Sequence, residues 1–440
     1  MVADPRSRNT SSPLVRAIGR WSMLALALNS ILGSGIFGLP SAVAALVGNA
    51  STLLVLVGGA ASAVIIACYA ELASQFTTSG GTYLYARRAF GRLTGLQVAW
   101  LALLSRLTAC AAAVNLLVAY LGEFWPQAAR PLPRASVILV FVGTLAAVNV
   151  RGVRAGARVS NAATAAKISA LALVCIAGAL YLSRHAAVVP IPVIASPGSW
   201  LDAVLLLLFA FGGYEAALNP MGEAQHPRRD AAFALFVALA ILVVLYTLIQ
   251  WIVMGVLPDP AHDERPLAAA ARVFSGDFGA SFISTAALVS LYGYIGANML
   301  TVPRSMYALA EGGDFPSHFA TVHSRFRTPH VAILVFAMLV TGFSLLGTFT
   351  WNVTLSAVAR LFYYGAACAA VPVLRARQPA AALFRVPGGL LVPILGVAIC
   401  LTLLTRVDFS KSLIVLGTVA IALANWLAVR HRRPAAVQPR

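Results

Sequence analysis

Charge is what this chain has least of. Only 10% of its 440 residues are Asp, Glu, Lys or Arg, whereas 60% are hydrophobic. A soluble domain carries about a quarter charged residues, so composition excludes a water-soluble globule and indicates an all-α polytopic membrane protein in contact with a lipid bilayer. Lysine is scarcer still: Lys167 and Lys411 stand against 30 arginines. The net charge of +18 raises nucleic acid as a partner, but no basic run is interleaved with aromatics as that binding requires. The positive charge sits instead in short segments between apolar ones, as topology signals do. The five cysteines (Cys68, Cys110, Cys175, Cys368 and Cys400) all fall in apolar stretches without a CxxC pair. A metal site or disulfide framework is therefore not expected. Catalytic signatures are missing too. There is no HExxH, no pair of intramembrane carboxylates and no serine with a histidine partner, so neither an enzyme nor a cofactor is expected.

What is present is length and apolarity in repeated units. The pattern predicts twelve spans, at 21–46, 51–75, 94–122, 135–150, 159–183, 200–220, 231–257, 278–309, 329–347, 351–374, 388–405 and 411–429. Placing alternate loops inside, starting with the N-terminus, puts 22 of the 32 Lys and Arg inside and seven outside. This bias predicts a multi-pass protein of the inner (cytoplasmic) membrane with both termini cytoplasmic. Residues 1–20 form a polar, basic tail; the apolar stretch that follows is too long for a cleaved signal peptide.

Two spans are interrupted. The first contains Asn29-Ser30-Ile31-Leu32-Gly33-Ser34-Gly35-Ile36-Phe37, and the sixth contains Phe209-Ala210-Phe211-Gly212-Gly213-Tyr214-Glu215 followed by Asn219-Pro220. Glycine invites unwinding, and unwound backbone at membrane depth is tolerated only where it is buried or lines a cavity. Breaks five spans apart predict two five-helix halves of opposite orientation: a first repeat at 21–183, a second at 200–374, accessory helices at 388–429 and a C-terminal tail at 430–440. Unwinding of the first span near Gly33-Ser34-Gly35 exposes N–H groups at the start of its second half, which suit a carboxylate. The freed carbonyls, with those near Phe209 and Ala210, suit an ammonium. One cavity offering both fits a zwitterionic α-amino acid. Phe209 could cap such a site, while close packing of small residues is the simpler use of the glycines.

Charges inside spans mark further candidates, each costing about 2.5–3.5 kcal/mol on insertion scales. Lys167 is isolated in the fifth span, and a buried lysine can lose its proton near neutral pH. It is a candidate coupling group, or a fixed cation holding the broken first span through its carbonyls. Glu215 is the deep carboxylate of the sixth span, a candidate gate, proton carrier or ion-pair partner of Arg106 or Arg360. Glu71 is expected at the cytoplasmic end of the second span.

These residues resemble the amino acid–polyamine–organocation family of permeases. The match lies in Ile31-Leu32-Gly33-Ser34-Gly35-Ile36-Phe37, in Glu71-Leu72 through Ser79-Gly80-Gly81-Thr82-Tyr83, in Phe209 to Glu215 running into Gly222-Glu223-Ala224-Gln225-His226-Pro227-Arg228-Arg229-Asp230, and in Thr328-Pro329-His330. The resemblance implies a LeuT-like fold, alternating access, and substrate contacts from Ile31, Ser34, Gly35 and Ile36 with Phe209, Ala210 and Gly212. It makes Lys167 similar to the lysine that replaces a sodium ion in proton-coupled and exchanger branches, so protons rather than sodium are the expected partner. The loop from Trp125 to Arg134 has no cysteine, so a disulfide-linked ancillary subunit is not expected. Phe209, Phe211 and Tyr292 suggest an apolar pocket and neutral amino acids, whereas the buried positive charges would suit an acidic substrate. An exchanger or exporter is the alternative within transport, and a transceptor-type binding protein the alternative outside it.

Overall fold

Glycine and serine at 33–35 split the first apolar stretch. The computed structural model describes residues 18–76, 80–152, 156–219, 221–378 and 382–430, with side chains in 156–166 left aside. Helix α1 (Arg20–Ile31) stops at the break and α2 (Gly35–Val47) starts after it. Twelve more α-helices follow among the described residues: α3 (Ser51–Gln75), α4 (Gly81–Phe90), α5 (Arg92–Leu121), α6 (Pro131–Arg151), α7 (Gly156–Leu182), α8 (Pro197–Ala210), α9 (Pro227–Val256), α10 (Pro266–Glu311), α11 (His330–Leu346), α12 (Phe349–Arg377), α13 (Leu391–Leu404) and α14 (Phe409–Val429). The first predicted span contains α1 and α2, the sixth contains α8 followed by a 3-10 turn at Tyr214–Leu218, and each of the others contains one α-helix. Among the described residues eight helical segments are long and apolar enough to cross a bilayer, and three shorter apolar helices accompany them. The protein is an all-helical, multi-pass membrane protein. The outermost parts of both tails, with Ser79 and Pro220 of the motifs above, lie outside the described residues.

Residues 76–93 fall in none of the predicted spans, and α4 forms among them. Gly80 and Gly81 enter it at φ 145° and 50°, and Gly91 leaves it at φ 93°, a backbone region that only glycine occupies freely. Another turn of the chain interrupts α10 at Gly276 (φ 65°), so its predicted membrane portion begins just past that kink.

Helices pack closely where glycine faces a bulky neighbour. Helix α3 lies along α9, and α12 along α5. A Cβ on Gly58 would fall 2.6 Å from Leu207, and one on Gly59 would fall 2.6 Å from Val243. Small residues thus bring α3 against α8 and α9, the packing mode that serves where lipid offers no hydrophobic drive between helices.

Charged residues are concentrated at helix ends. Glu71, fully buried on α3, takes two hydrogen bonds of 2.6 Å from Arg375 of α12 and one of 2.8 Å from the Val386 N–H. Asp314, just past α10, binds Arg87 at 2.5 Å, Arg92 at 2.7 Å and the Tyr83 hydroxyl. Burial, then the Asp314 carboxylate, push the Tyr83 phenol up to about 12, so it remains a donor at neutral pH. Asn425 of α14 donates to the Asp314 carbonyl at 2.8 Å. Glu123, past α5, is paired with Arg265 at 3.1 Å and also with Arg272.

Candidate substrate site between the broken helices

The first break leaves donors without partners. The N–H of Leu32 closes the last turn of α1 on Leu28, that of Gly33 bonds Ile31 at 2.7 Å, and that of Phe37 bonds Ser34 at 3.2 Å. Among the described residues the N–H groups of Ser34, Gly35 and Ile36 have no such partner, as expected for the first turn of a helix. The Ser34 hydroxyl is buried and also unpartnered. Unpaired donors at the positive end of α2 form a seat for an anion.

The second break lies directly against the first. Helix α8 ends at Ala210, and a Cβ on Gly35 would meet the Ala210 Cα at 3.2 Å. Gly213 adopts φ 107°, and a Cβ there would fall 2.5 Å from the Ser30 carbonyl oxygen. Both its conformation and its clearance therefore require glycine. Between the two breaks lies a small cavity with room for about one water-sized sphere, bounded by Ser30, Ile31, Gly33, Ser34 and Gly35 on one side and by Phe209, Gly212, Tyr294 and Arg360 on the other. Ile36 lines a neighbouring apolar space with Leu39, Val43 and Val55. Ala210 sits behind Gly35, and its carbonyl accepts the Tyr246 hydroxyl at 3.3 Å.

The membrane charges gather around this cavity. Lys167 is buried and donates to the Leu32 carbonyl, at the point where α1 stops. Glu215 accepts from the Gly213 N–H (3.0 Å), the Tyr363 hydroxyl (3.0 Å) and the Tyr364 hydroxyl (3.1 Å). Arg106 lies 3.6 Å from it. Arg360 does not join that ion pair. Its Nε donates to Ser105 Oγ at 3.1 Å, its Nη1 donates to the Phe209 carbonyl at 3.2 Å, and its plane lies 4.9 Å from the Phe209 ring centroid. The guanidinium reaches this position through the gap at Gly212, where a Cβ would overlap Nη1.

The aromatic lining differs from expectation. Phe209 faces the cavity, but Phe211 is buried against Tyr246 with ring centroids 5.1 Å apart. Tyr292 is 50% exposed and packs edge-on against Phe141. Tyr294, two residues along and about 200° around the helix, takes the place expected of Tyr292 and lies against Gly33. An aromatic group around Glu215 was also missed: Tyr214 stacks on Tyr364 at 5.5 Å, and Tyr69 meets Tyr364 at 5.7 Å. The signal for part of it was available, because Tyr363 and Tyr364 follow Arg360 by three and four residues and so share its helix face.

A family model described as amino acid permease matches residues 18–423. The chain belongs to the amino acid permease family. This permease is 26% identical to the methylthioribose transporter of Bacillus subtilis, across 96% of its own length and 93% of that protein's. It is also 26% identical to the branched-chain amino acid permease of the same organism, across 90% and 89%, and to its serine/threonine exchanger, across 73% and 74%. Family and relatives are transporters, not enzymes, in agreement with the resemblance carried by the motifs.

Proposed function

We propose that this permease is a secondary transporter that carries amino acids across the cytoplasmic membrane by alternating access, coupled to protons rather than sodium. The observation that carries this reading is the direct contact of the two broken helices around a cavity with unpaired N–H groups on one wall and the Phe209 carbonyl on the other. Donors at the α2 N-terminus would take the substrate carboxylate, and the Phe209 carbonyl its ammonium. Ser34, Gly35 and Ile36 are the carboxylate side of that site, with Ile31, Phe209, Ala210 and Gly212 shaping the rest. In the same reading the chain has a LeuT-like 5+5 inverted repeat of twelve spans with both termini cytoplasmic, the first half at 21–183 and the second at 200–374. Lys167, bonded to the carbonyl that ends α1, ties the protonation of one side chain to the geometry of the break.

Exchange is the second reading, supported by the serine/threonine exchanger among the relatives. A neutral side chain has less support than the backbone contacts, because Phe211 and Tyr292 do not line the cavity. The test is transport by the purified protein in proteoliposomes, with a pH gradient for symport and with preloaded amino acids for exchange. Methylthioribose belongs in the panel, since one relative is named for it. Accumulation driven by an inward proton gradient supports symport; counterflow alone supports exchange; no amino acid flux in either mode overturns the reading.

A further inference from the structure

The cavity contains a cation that an ordinary zwitterion would leave unmatched. Arg360 is buried, with 4% of its surface exposed, and among the described residues it has no carboxylate within ion-pair distance. Its partners are a serine hydroxyl, a backbone carbonyl and the face of Phe209. The one nearby carboxylate, Glu215, is already engaged by two tyrosines, the Gly213 N–H and Arg106. Two guanidinium groups on α5 and α12 therefore face one carboxylate, and Lys167 adds a further cationic group behind the break. Burying a charge without a counter-charge is expensive, so this excess needs an anion to balance it.

We propose that the substrate supplies that anion: it is an amino acid with an acidic side chain, and Arg360 binds the side-chain carboxylate. The proposal rests on the amino acid reading above. Arg360 and the Gly212 N–H, at 3.2 and 3.1 Å, share the Phe209 carbonyl, the acceptor assigned to the substrate ammonium. An arriving ammonium displaces Nη1 from that oxygen. The freed guanidinium then turns to the side-chain carboxylate beside Gly212, where its planar fork can make two parallel hydrogen bonds. Gly212 provides the clearance for this movement, since any side chain there would occupy the same space. A neutral substrate would displace the guanidinium and offer it nothing in return.

The experiment compares isosteric pairs on the wild-type, full-length protein in proteoliposomes. Counterflow is measured with each of the common amino acids, and glutamate is set against glutamine, and aspartate against asparagine, as competitors. The expected result is at least about tenfold stronger competition by the acidic member of each pair, the margin of a site built for a polar group that the analogue lacks. Arg360→Gln is expected to lose this preference, read as the ratio of glutamate to glutamine competition, and Arg360→Lys to keep part of it. Equal or better competition by the amides overturns the proposal and leaves amino acid transport standing. Absence of flux with every amino acid overturns the underlying reading and this proposal together. The wild-type comparison decides the matter even if the Arg360 variants do not fold.

Discussion

Lys167 on α7 donates to the carbonyl of Leu32, the residue at which α1 gives way to the first break. That single bond joins one of the chain's two lysines to the backbone that shapes the cavity. A carbonyl freed by a helix break and buried from water must have a partner, and an ammonium provides one whose charge-assisted bond weakens on deprotonation.

Lys167→Ala is expected to abolish pH-driven accumulation while leaving counterflow measurable, because the break persists through its glycines but loses its titratable support. Accumulation in proteoliposomes should fall to the level of the extravesicular concentration. Parent-like, pH-dependent accumulation by the variant would remove Lys167 from the coupling mechanism.

Gly213 makes a sharper claim on geometry. Its φ of 107° and the 2.5 Å clearance to the Ser30 carbonyl both oppose a side chain. Gly213→Ala is expected to cost about 1–3 kcal/mol and to lower the apparent melting temperature in detergent, along with transport. Gly143→Ala is the control, since open space surrounds that position and a change of within about 0.5 kcal/mol is expected. Equal melting temperatures for the two variants would show that the contact between the breaks is not tight.

The helices and both breaks were legible in the sequence because each has a local cause: apolar length for the spans, Gly33-Ser34-Gly35 and Gly212-Gly213 for the interruptions. Ile31, Gly33, Ser34, Gly35, Phe209 and Gly212 line one cavity. The direction of side chains was less legible. Choosing Tyr292 over Tyr294 required the rotational setting of α10, which packing against α7 and α11 determines. Pairing Glu215 with Arg106 rather than Arg360 likewise depends on distances between α5, α8 and α12 that no local pattern encodes. Helix α4 escaped notice because its ten residues are too short and too polar to resemble a span.

Glu71 and Arg375 form a buried ion pair whose members are separated by most of the chain, with side chains 0% and 18% exposed. Removing one partner strands the other, so Arg375→Ala is expected to destabilise by about 3–5 kcal/mol. Glu71→Gln combined with Arg375→Gln should recover much of the loss, because the glutamine at 71 can still accept from the Val386 N–H. Thermal unfolding of Glu71→Gln, Arg375→Gln and the double variant in detergent, beside Arg375→Ala, reads this directly. Additive losses in the double variant would mean that the two groups act independently.

Asp314 is expected to latch one mouth of the pathway. It ties α4 and α5, through Arg87, Tyr83 and Arg92, to the end of α10, and in the proposed topology these residues face the cytoplasm. Asp314→Asn keeps the size of the side chain but removes the charge that both guanidinium groups share, so the inward-facing state should become more populated. A cysteine introduced at Ser34, inside the cavity, reports this through its rate of reaction with a membrane-impermeant thiol reagent. The five native cysteines are all buried, which keeps the background low. Several-fold faster labelling from the cytoplasmic face in the Asp314→Asn background is the expected outcome. Faster labelling from the opposite face would reverse the assigned orientation, and an unchanged rate from both faces would show that Asp314 holds α4 in place without gating the cavity.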